Sequence, residues 1–178
     1  MAVTWYSDRD PDLPWWYNER ATLSTFAGAI WLSGGVAFEE FTCHRSQDLY
    51  SKRASSESNG RADMYFYIEN DEFLVEAKQC WCKPELDFDS TIEEAFNSAE
   101  KQLTTLVGED GQRTVVVFAC PSIPDRGRDQ ARQLLDNWTS KAKEVNCTIS
   151  CLITLDEFEH ALYNGRYYPG IALFIRTI

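Results

Sequence analysis

The sequence predicts an α/β fold, a mixed β-sheet flanked by helices, and three observations carry that expectation. Residues 14–33 repeat apolar side chains at helical spacing. Three runs of β-type composition follow before residue 80, and from residue 90 onward helical and strand patterns alternate. A helix, consecutive strands and then alternation pack best as one sheet covered by helices, an α/β sandwich. The 178 residues, 44% hydrophobic with six Trp, supply apolar surface for one core. Residues 1–178 are therefore expected as a single domain, with a core of about 14–120 and a C-terminal α/β extension of about 121–178.

The elements follow in order from their local signals. Pro14, after Asp12, reads as a helix start, and Trp16, Arg20, Leu23, Ala27 and Ile30 continue the period until Ser33-Gly34-Gly35 ends it. Val36 to Cys43 is apolar and aromatic enough for a strand. His44 to Arg61 is rich in Ser, Arg and Lys without periodicity, which predicts a mobile loop. Ala62–Ile68 and Glu72–Gln79 read as two strands of a hairpin turning at Asn70-Asp71, residue types that tolerate positive φ. Ser90-x-x-Glu93 forms a capping box for a helix with Ile92, Ala95, Phe96, Ala99, Leu103 and Leu106 on one face, closed by Gly108. Beyond it the pattern gives a buried strand over 114–120, a helix over 125–145, a strand over 148–154, a short helix over 156–164 and a last strand over 171–178.

Composition narrows the function classes. A net charge of −11 argues against indiscriminate binding to nucleic acid, because such affinity comes largely from Lys and Arg against phosphates. The acid is concentrated: residues 62–111 hold thirteen Asp and Glu against three Lys. No apolar stretch approaches the roughly 18 residues of a membrane helix, and the first residues are acidic and polar rather than a basic leader, so a cytoplasmic protein with no membrane partner is expected. Six cysteines without a CxxC pair, four of them in apolar strand-like segments, are expected as reduced small hydrophobes, with Cys80-x-Cys82 the one close pair. His44 and His160 lie in no triad or zinc spacing, and Asn146-Cys147-Thr148 has no meaning as a glycosylation site in such a compartment.

Chemistry converges on the hairpin. A turn at Asn70-Asp71 sets Asp63 opposite Lys78 and Tyr65 opposite Glu76, and alternation then puts Asp63, Glu76 and Lys78 on one face while Phe73, Val75 and Ala77 face a core. Hard cations such as Mg²⁺ are held by one or two carboxylates, and the water they bind becomes a better nucleophile. An ammonium beside them can orient that water and offset charge on the reacting phosphate. Glu19 stands at helical spacing before Leu23, Phe26 and Ile30, which turns it toward the buried side of the first helix, where a carboxylate needs a partner.

Gly60-Arg61-Ala62-Asp63, then twelve residues, then Glu76-Ala77-Lys78 resembles the D…ExK signature of the PD-(D/E)XK, or restriction-endonuclease-like, nucleases, with Ala62 in place of the leading proline. The order of elements from the first helix to the strand at 114–120 is similar to the αβββαβ core of that superfamily. The resemblance covers roughly the first two thirds of the chain. It implies a nuclease hydrolysing phosphodiester bonds, with DNA as the expected substrate and Mg²⁺ or Mn²⁺ as cofactor. Asp63 and Glu76 would hold the metal, Lys78 would assist the water, Glu19 would complete the metal site, and Gln102 would stand where the RecB-like branch has a glutamine, although Leu106 replaces the tyrosine usual there. Arg45, Lys52, Arg53 and Arg61, on the expected loop, are candidates to grip a nucleic-acid backbone.

Two rivals remain at this level. A non-catalytic or partner-dependent protein of the same fold, acting through protein contacts or as a homo-oligomer, suits the acidic surface. An inhibitor whose acidic face mimics nucleic acid explains the 62–111 segment but leaves the hairpin arrangement to chance. For the cysteines the expectation is countable: thiol titration under denaturing conditions, without added reductant, should find six groups, and four or fewer would reveal a disulfide or a cluster.

Overall fold

The computed structural model describes residues 13–46, 57–107, 110–155 and 161–178, with the backbone alone at 46 and 57–59. Asp12, Lys52, Arg53, Gly108 and most of the helix expected over 156–164 lie outside them.

The first helix starts later than its periodicity suggests. Pro14–Trp16 is a single 3₁₀ turn, and α1 (Glu19–Leu32) begins only after Asn18, whose side-chain oxygen accepts from Ala21 N at 3.0 Å. Asn18 captures an otherwise orphaned amide, so it sets the helix start, and Glu19 is the first helical residue. The chain leaves α1 through Gly34 at φ +86°.

Of the loop expected over 44–61, residues 44–46 and 57–61 are strand, and residues 47–56 lie outside the described residues. β1 (Val36–Ser46) and β2 (Glu57–Ile68) form one long antiparallel hairpin, paired from Val36↔Tyr67 to Ser46↔Glu57. Polar residues at 44–46 and 57–61 hid it from a reading of hydrophobic periodicity, because at the end of a hairpin the backbone ladder alone can hold the strands. The next turn also slips by one residue. Glu69 and Asn70, at φ 52° and 75°, take the two left-handed positions of a tight hairpin turn, and β2 meets β3 (Asp71–Cys82) with Ile68↔Asp71, Tyr65↔Leu74 and Met64↔Val75. Asp63 is thus not opposite Lys78, nor Tyr65 opposite Glu76. The slip moves the pairing by two, so the alternation along β3 itself is unchanged.

α2 (Phe88–Leu103) starts at Asp87, whose carboxylate accepts from Ser90 N, rather than at the expected Ser90-Glu93 box. It stops at Leu103 because Leu106, 2% exposed, must enter the short edge strand β4 (Leu106–Val107) beside β1. β5 (Gln112–Pro121) then runs parallel to β3, while β10 (Gly170–Thr177) and β7 (Ile149–Thr154) add antiparallel strands. The result is a mixed seven-stranded sheet in the order β4-β1-β2-β3-β5-β10-β7. A small second sheet joins β6 (Ile123–Pro124), β8 (Leu162–Tyr163) and β9 (Arg166–Tyr167). β8 and β9 turn through Asn164-Gly165, both at positive φ, so the second half of the helix expected over 156–164 is a hairpin.

The sheet buries both faces. α2 and α3 (Arg128–Ala142) cover one face with Phe88, Ile92, Phe96, Leu103, Leu135 and Trp138 against Leu74, Val115 and Val117, and α1 covers the other with Leu23, Ala27 and Ile30 against Met64, Val75 and Val116. None of the six cysteines is in a disulfide. Among the described residues no helix is long and apolar enough to cross a membrane.

Phe96 is fully buried in the α2 face of the sheet. Phe96→Ala is expected to cost about 3–5 kcal/mol, read as a lowered urea midpoint with an unchanged slope.

Candidate active site

The site forms where β2 parts from β3. Their ladder runs only from Ile68↔Asp71 to Met64↔Val75, so the N–H groups of Ala77 and Gln79, which point to the β2 side, need other acceptors. Two carboxylates supply them. Asp63 Oδ2 accepts from Ala77 N at 2.8 Å, and Glu19 Oε2, from the first turn of α1, accepts from Gln79 N at 2.8 Å. The two anchor amides are two residues apart, about 7 Å along the strand. Gln79 reinforces the second anchor through its side chain, which accepts from Thr22 Oγ1 at 2.7 Å and donates to Trp15 O at 3.2 Å.

Simple alternation does not place Asp63. Ala62 packs in the core under α2 and Met64 in the core under α1, although a regular strand would send both to one face. The faces exchange at Asp63. The neighbouring strand exchanges its faces at Glu40, φ 53°: Phe38 and Phe41, on either side of it, both lie against the Tyr65 ring, at centroid distances of 6.4 and 5.0 Å. A non-glycine residue in the left-handed region costs about 1 kcal/mol or more, and here Arg20 and Arg61 pair with the Glu40 carboxylate. The double crossover turns the Asp63 carboxylate toward the edge of β3.

Glu76 takes the position that alternation predicts, on the α2 side of β3 beside Leu74 and opposite Val115 of β5. It is 1% exposed. Burial, reinforced by the Asp63 charge and carboxyl contact and opposed by the Arg45 guanidinium, raises its carboxyl to about 7. Arg45 is the partner that the burial requires. It lies on β1, crosses β2 over Gly60, and donates from Nη2 to Glu76 Oε1 and Arg61 O and from Nη1 to Gln102 O at 3.0 Å and Thr105 Oγ1 at 2.8 Å. A Cβ at Gly60 would lie 2.6 Å from the Arg45 Cγ and Cδ atoms, so the crossing needs glycine there.

Lys78 completes the group. Its Nζ donates to Ala77 O at 2.8 Å and stands 4.0 Å from Asp63 Oδ2, with the side chain 23% exposed. The structure therefore gathers Asp63, Glu76 and Lys78, with Glu19 one strand repeat away along the same edge. Gln102 contributes its main-chain carbonyl, through Arg45. Arg61 contributes a carbonyl to Arg45 and its side chain to Glu40, 3.1 Å away. Arg45, expected as a grip on nucleic acid from a loop, is instead a half-buried strand residue whose guanidinium is committed inside the protein.

Sequence reasoning missed Arg45 as the partner of Glu76, and it missed Gln79, Thr22 and Gly60. Only the burial argument, applied to Glu76 as it was to Glu19, could have demanded a cationic partner, without saying which one.

The donor chemistry suits a hard divalent cation. One oxygen each of Glu19, Asp63 and Glu76 accepts from a protein donor, and the Asp63 and Glu76 carboxyls also meet each other. Burial first, and the Asp63 charge second, disfavour the ionised Glu76 carboxyl, and a cation there would favour it. Among the described residues, no group of three or more His, Cys, Asp or Glu side chains stands close enough together to form a ready-made cage. A cavity of about 380 Å³ between Cys82, Phe88, Ile123 and Trp138 contains none of the predicted site residues.

No family model, curated protein or solved structure matches the chain.

Because folding raises the Glu76 carboxyl from 4.5 to about 7, the native state holds a proton there that the unfolded state has released. The stability this contributes is full below pH 4.5 and is lost as pH rises through about 7, a fall on the order of 3 kcal/mol. Urea unfolding of the metal-free protein from pH 4.5 to 8 should show that fall relative to Glu76→Gln. Parallel profiles for the two proteins would contradict the assignment.

Proposed function

We propose that this protein is a divalent-cation-dependent nuclease of the restriction-endonuclease-like kind, hydrolysing phosphodiester bonds in DNA. The observation that carries the reading is the parting of β2 from β3, which brings Asp63 and Glu19 onto the free amides of the strand that also bears Glu76 and Lys78. Apart from the two-residue edge strand β4 between α2 and β5, the order α1, β1, β2, β3, α2, β5 follows the αβββαβ order of the nucleases that the D…ExK motif resembles.

Asp63 and Glu76 would hold Mg²⁺ or Mn²⁺, with Glu19 completing the set. Bound there, the cation supplies Lewis acidity at the phosphate oxygen and a water acidic enough to attack. The protein groups supply position. Asp63 and Glu19 are fixed by main-chain N–H groups, which costs no reorganisation when charge develops. Lys78, close to Asp63 and partly open to solvent, orients the attacking water, and its ammonium offsets the charge gathering on the pentacovalent phosphate. The leaving oxygen departs opposite the attacking one. Lys78, partly exposed beside Asp63, brings positive charge to the site in an otherwise acidic protein.

One observation favours a second reading. Arg45 pairs with Glu76 from within, which lets the site stand without a cation, as in a nuclease-fold protein that acts only through protein contacts.

Lys78→Ala should keep the fold and abolish Mg²⁺-dependent cleavage, whereas Asp63→Ala and Glu76→Ala should also weaken metal binding. Linear, circular and single-stranded DNA and RNA would be assayed with Mg²⁺ or Mn²⁺, against EDTA controls and identically purified variants. Absence of cleavage by wild type on every substrate would hand the case to the second reading. Cleavage by Lys78→Ala at the wild-type rate would expose a contaminant or a misplaced site.

A further inference from the structure

We propose that this protein dimerises through β7, the bare outer strand of the seven-stranded sheet, which pairs antiparallel with β7 of a second copy about a dyad at Leu152. The inference stands apart from the nuclease reading, because β5 and β10 separate β7 from β3 and its carboxylates.

The two ends of the sheet are built differently. At one end β1 carries Glu39 and Glu40, breaks its regular run at the left-handed Glu40, and has β4 laid against His44 and Arg45. Charge, a kink and a short covering strand are the usual means of keeping a sheet edge from pairing with another chain. β7, at the other end, has none of them. From Val145 to Leu155 the chain holds no charged residue and no proline, in a sequence that is 25% charged, and no residue of β7 has a positive φ.

The backbone of β7 is open along its outer side. Leu155 N donates to Pro169 O at 2.8 Å, in line with the pairing of β7 and β10. Inward and outward residues alternate in an antiparallel ladder, so Ile153, Cys151 and Ile149 also turn their main-chain groups to β10. The N–H and C=O groups of Ser150, Leu152 and Thr154 therefore face outward. Among the described residues nothing accepts from those three amides. Side chains leave the strand open as well: Ser150, Cys151 and Thr154 are exposed, and Ile149 is 55% exposed.

A second copy of the chain fits this edge. Outward groups at every second residue are complementary to themselves after a twofold rotation. With the dyad at Leu152, that residue faces its own equivalent, and Ser150 of each copy faces Thr154 of the other. All three outward residues then exchange both N–H···O bonds. On the α1 side of the sheet, where Ile153 packs, the same register sets Cys151 beside Ile153 of the other copy and brings Ile149 up to Leu155. One apolar row crosses the dyad. Charge points the same way, since two chains at −11 repel, and a strand without charged residues lets them meet without setting carboxylate against carboxylate.

The whole protein is tested by sedimentation equilibrium and by hydrogen exchange read at single amides. Wild type should sediment as a dimer that dissociates on dilution. The amides of Ser150, Leu152 and Thr154 should be protected in the dimer and lose that protection on dilution, while those of Cys151 and Ile153 stay protected throughout. Ser150→Lys combined with Thr154→Lys sets lysine against lysine at both ends of the interface and should give a monomer. Ser150→Lys combined with Thr154→Glu sets lysine against glutamate in this register and should restore the dimer. Both positions are exposed, so each variant should keep the wild-type circular dichroism spectrum. If one fails to fold, the dilution and exchange results for wild type decide the matter. A wild type that is monomeric at every concentration would overturn the inference and leave the edge to a different chain. So would a dimer whose outward amides exchange freely, a dimer that survives the lysine pair, or a folded lysine–glutamate variant that stays monomeric.

Discussion

A backbone N–H on a central strand has to find an acceptor, and leaving one unmade costs about 1–3 kcal/mol. In this protein β3 loses its β2 neighbour beyond Met64↔Val75 while remaining paired to β5 along its length. Ala77 and Gln79 are left with amides aimed at the gap. Asp63 and Glu19 close it, and much else follows from that requirement: the start of α1 at Asn18, which sets Glu19 in the first turn, the Thr22 and Trp15 contacts to Gln79, and the crossover of β2 at Asp63. Groups that complete the sheet are the same groups proposed above to hold a cation.

Glu76 presents the opposite problem. Its carboxylate is buried where the sheet packs under α2, a position suited to an apolar side chain such as the Leu74 and Val115 around it. Removing an ion from water costs several kcal/mol, and a pair recovers that only with good geometry and further hydrogen bonds. Arg45 meets those terms with acceptors from β2, β3 and the end of α2. Replacement of such a pair by apolar residues is often neutral or stabilising, so its presence here speaks for a requirement other than stability. Burial raises the Glu76 carboxyl to about 7, with the Asp63 charge adding to the shift and Arg45 opposing it.

The αL residue Glu40 connects the two problems. By exchanging the faces of β1, it lets Phe38 and Phe41 both pack on Tyr65 and sends Arg45 toward Glu76. Its own side chain, between exposed Arg20 and Arg61, is held by pairs that each contribute little in solvent. The crossover is secured mainly by the packing it creates on both sides of the sheet.

Local chemistry in the sequence was sufficient to determine the α/β class, the order of its main elements and the alternation along β3 that separates Glu76 and Lys78 from Val75 and Ala77. These depend on periodicity and on turn residues, which act over a few positions. It also singled out Glu19, Asp63, Glu76 and Lys78, because carboxylates near apolar faces stand out. Tertiary structure decided the rest: the one-residue slip of the turn to Glu69-Asn70, the long β1–β2 hairpin across polar residues, the face exchange at Glu40 and Asp63, and the pairing of Arg45 with a glutamate 31 residues away. Those features arise where the cost of a left-handed residue or a buried charge is offset by contacts between distant segments. No local pattern records such contacts, because the partner is chosen only when the sheet assembles.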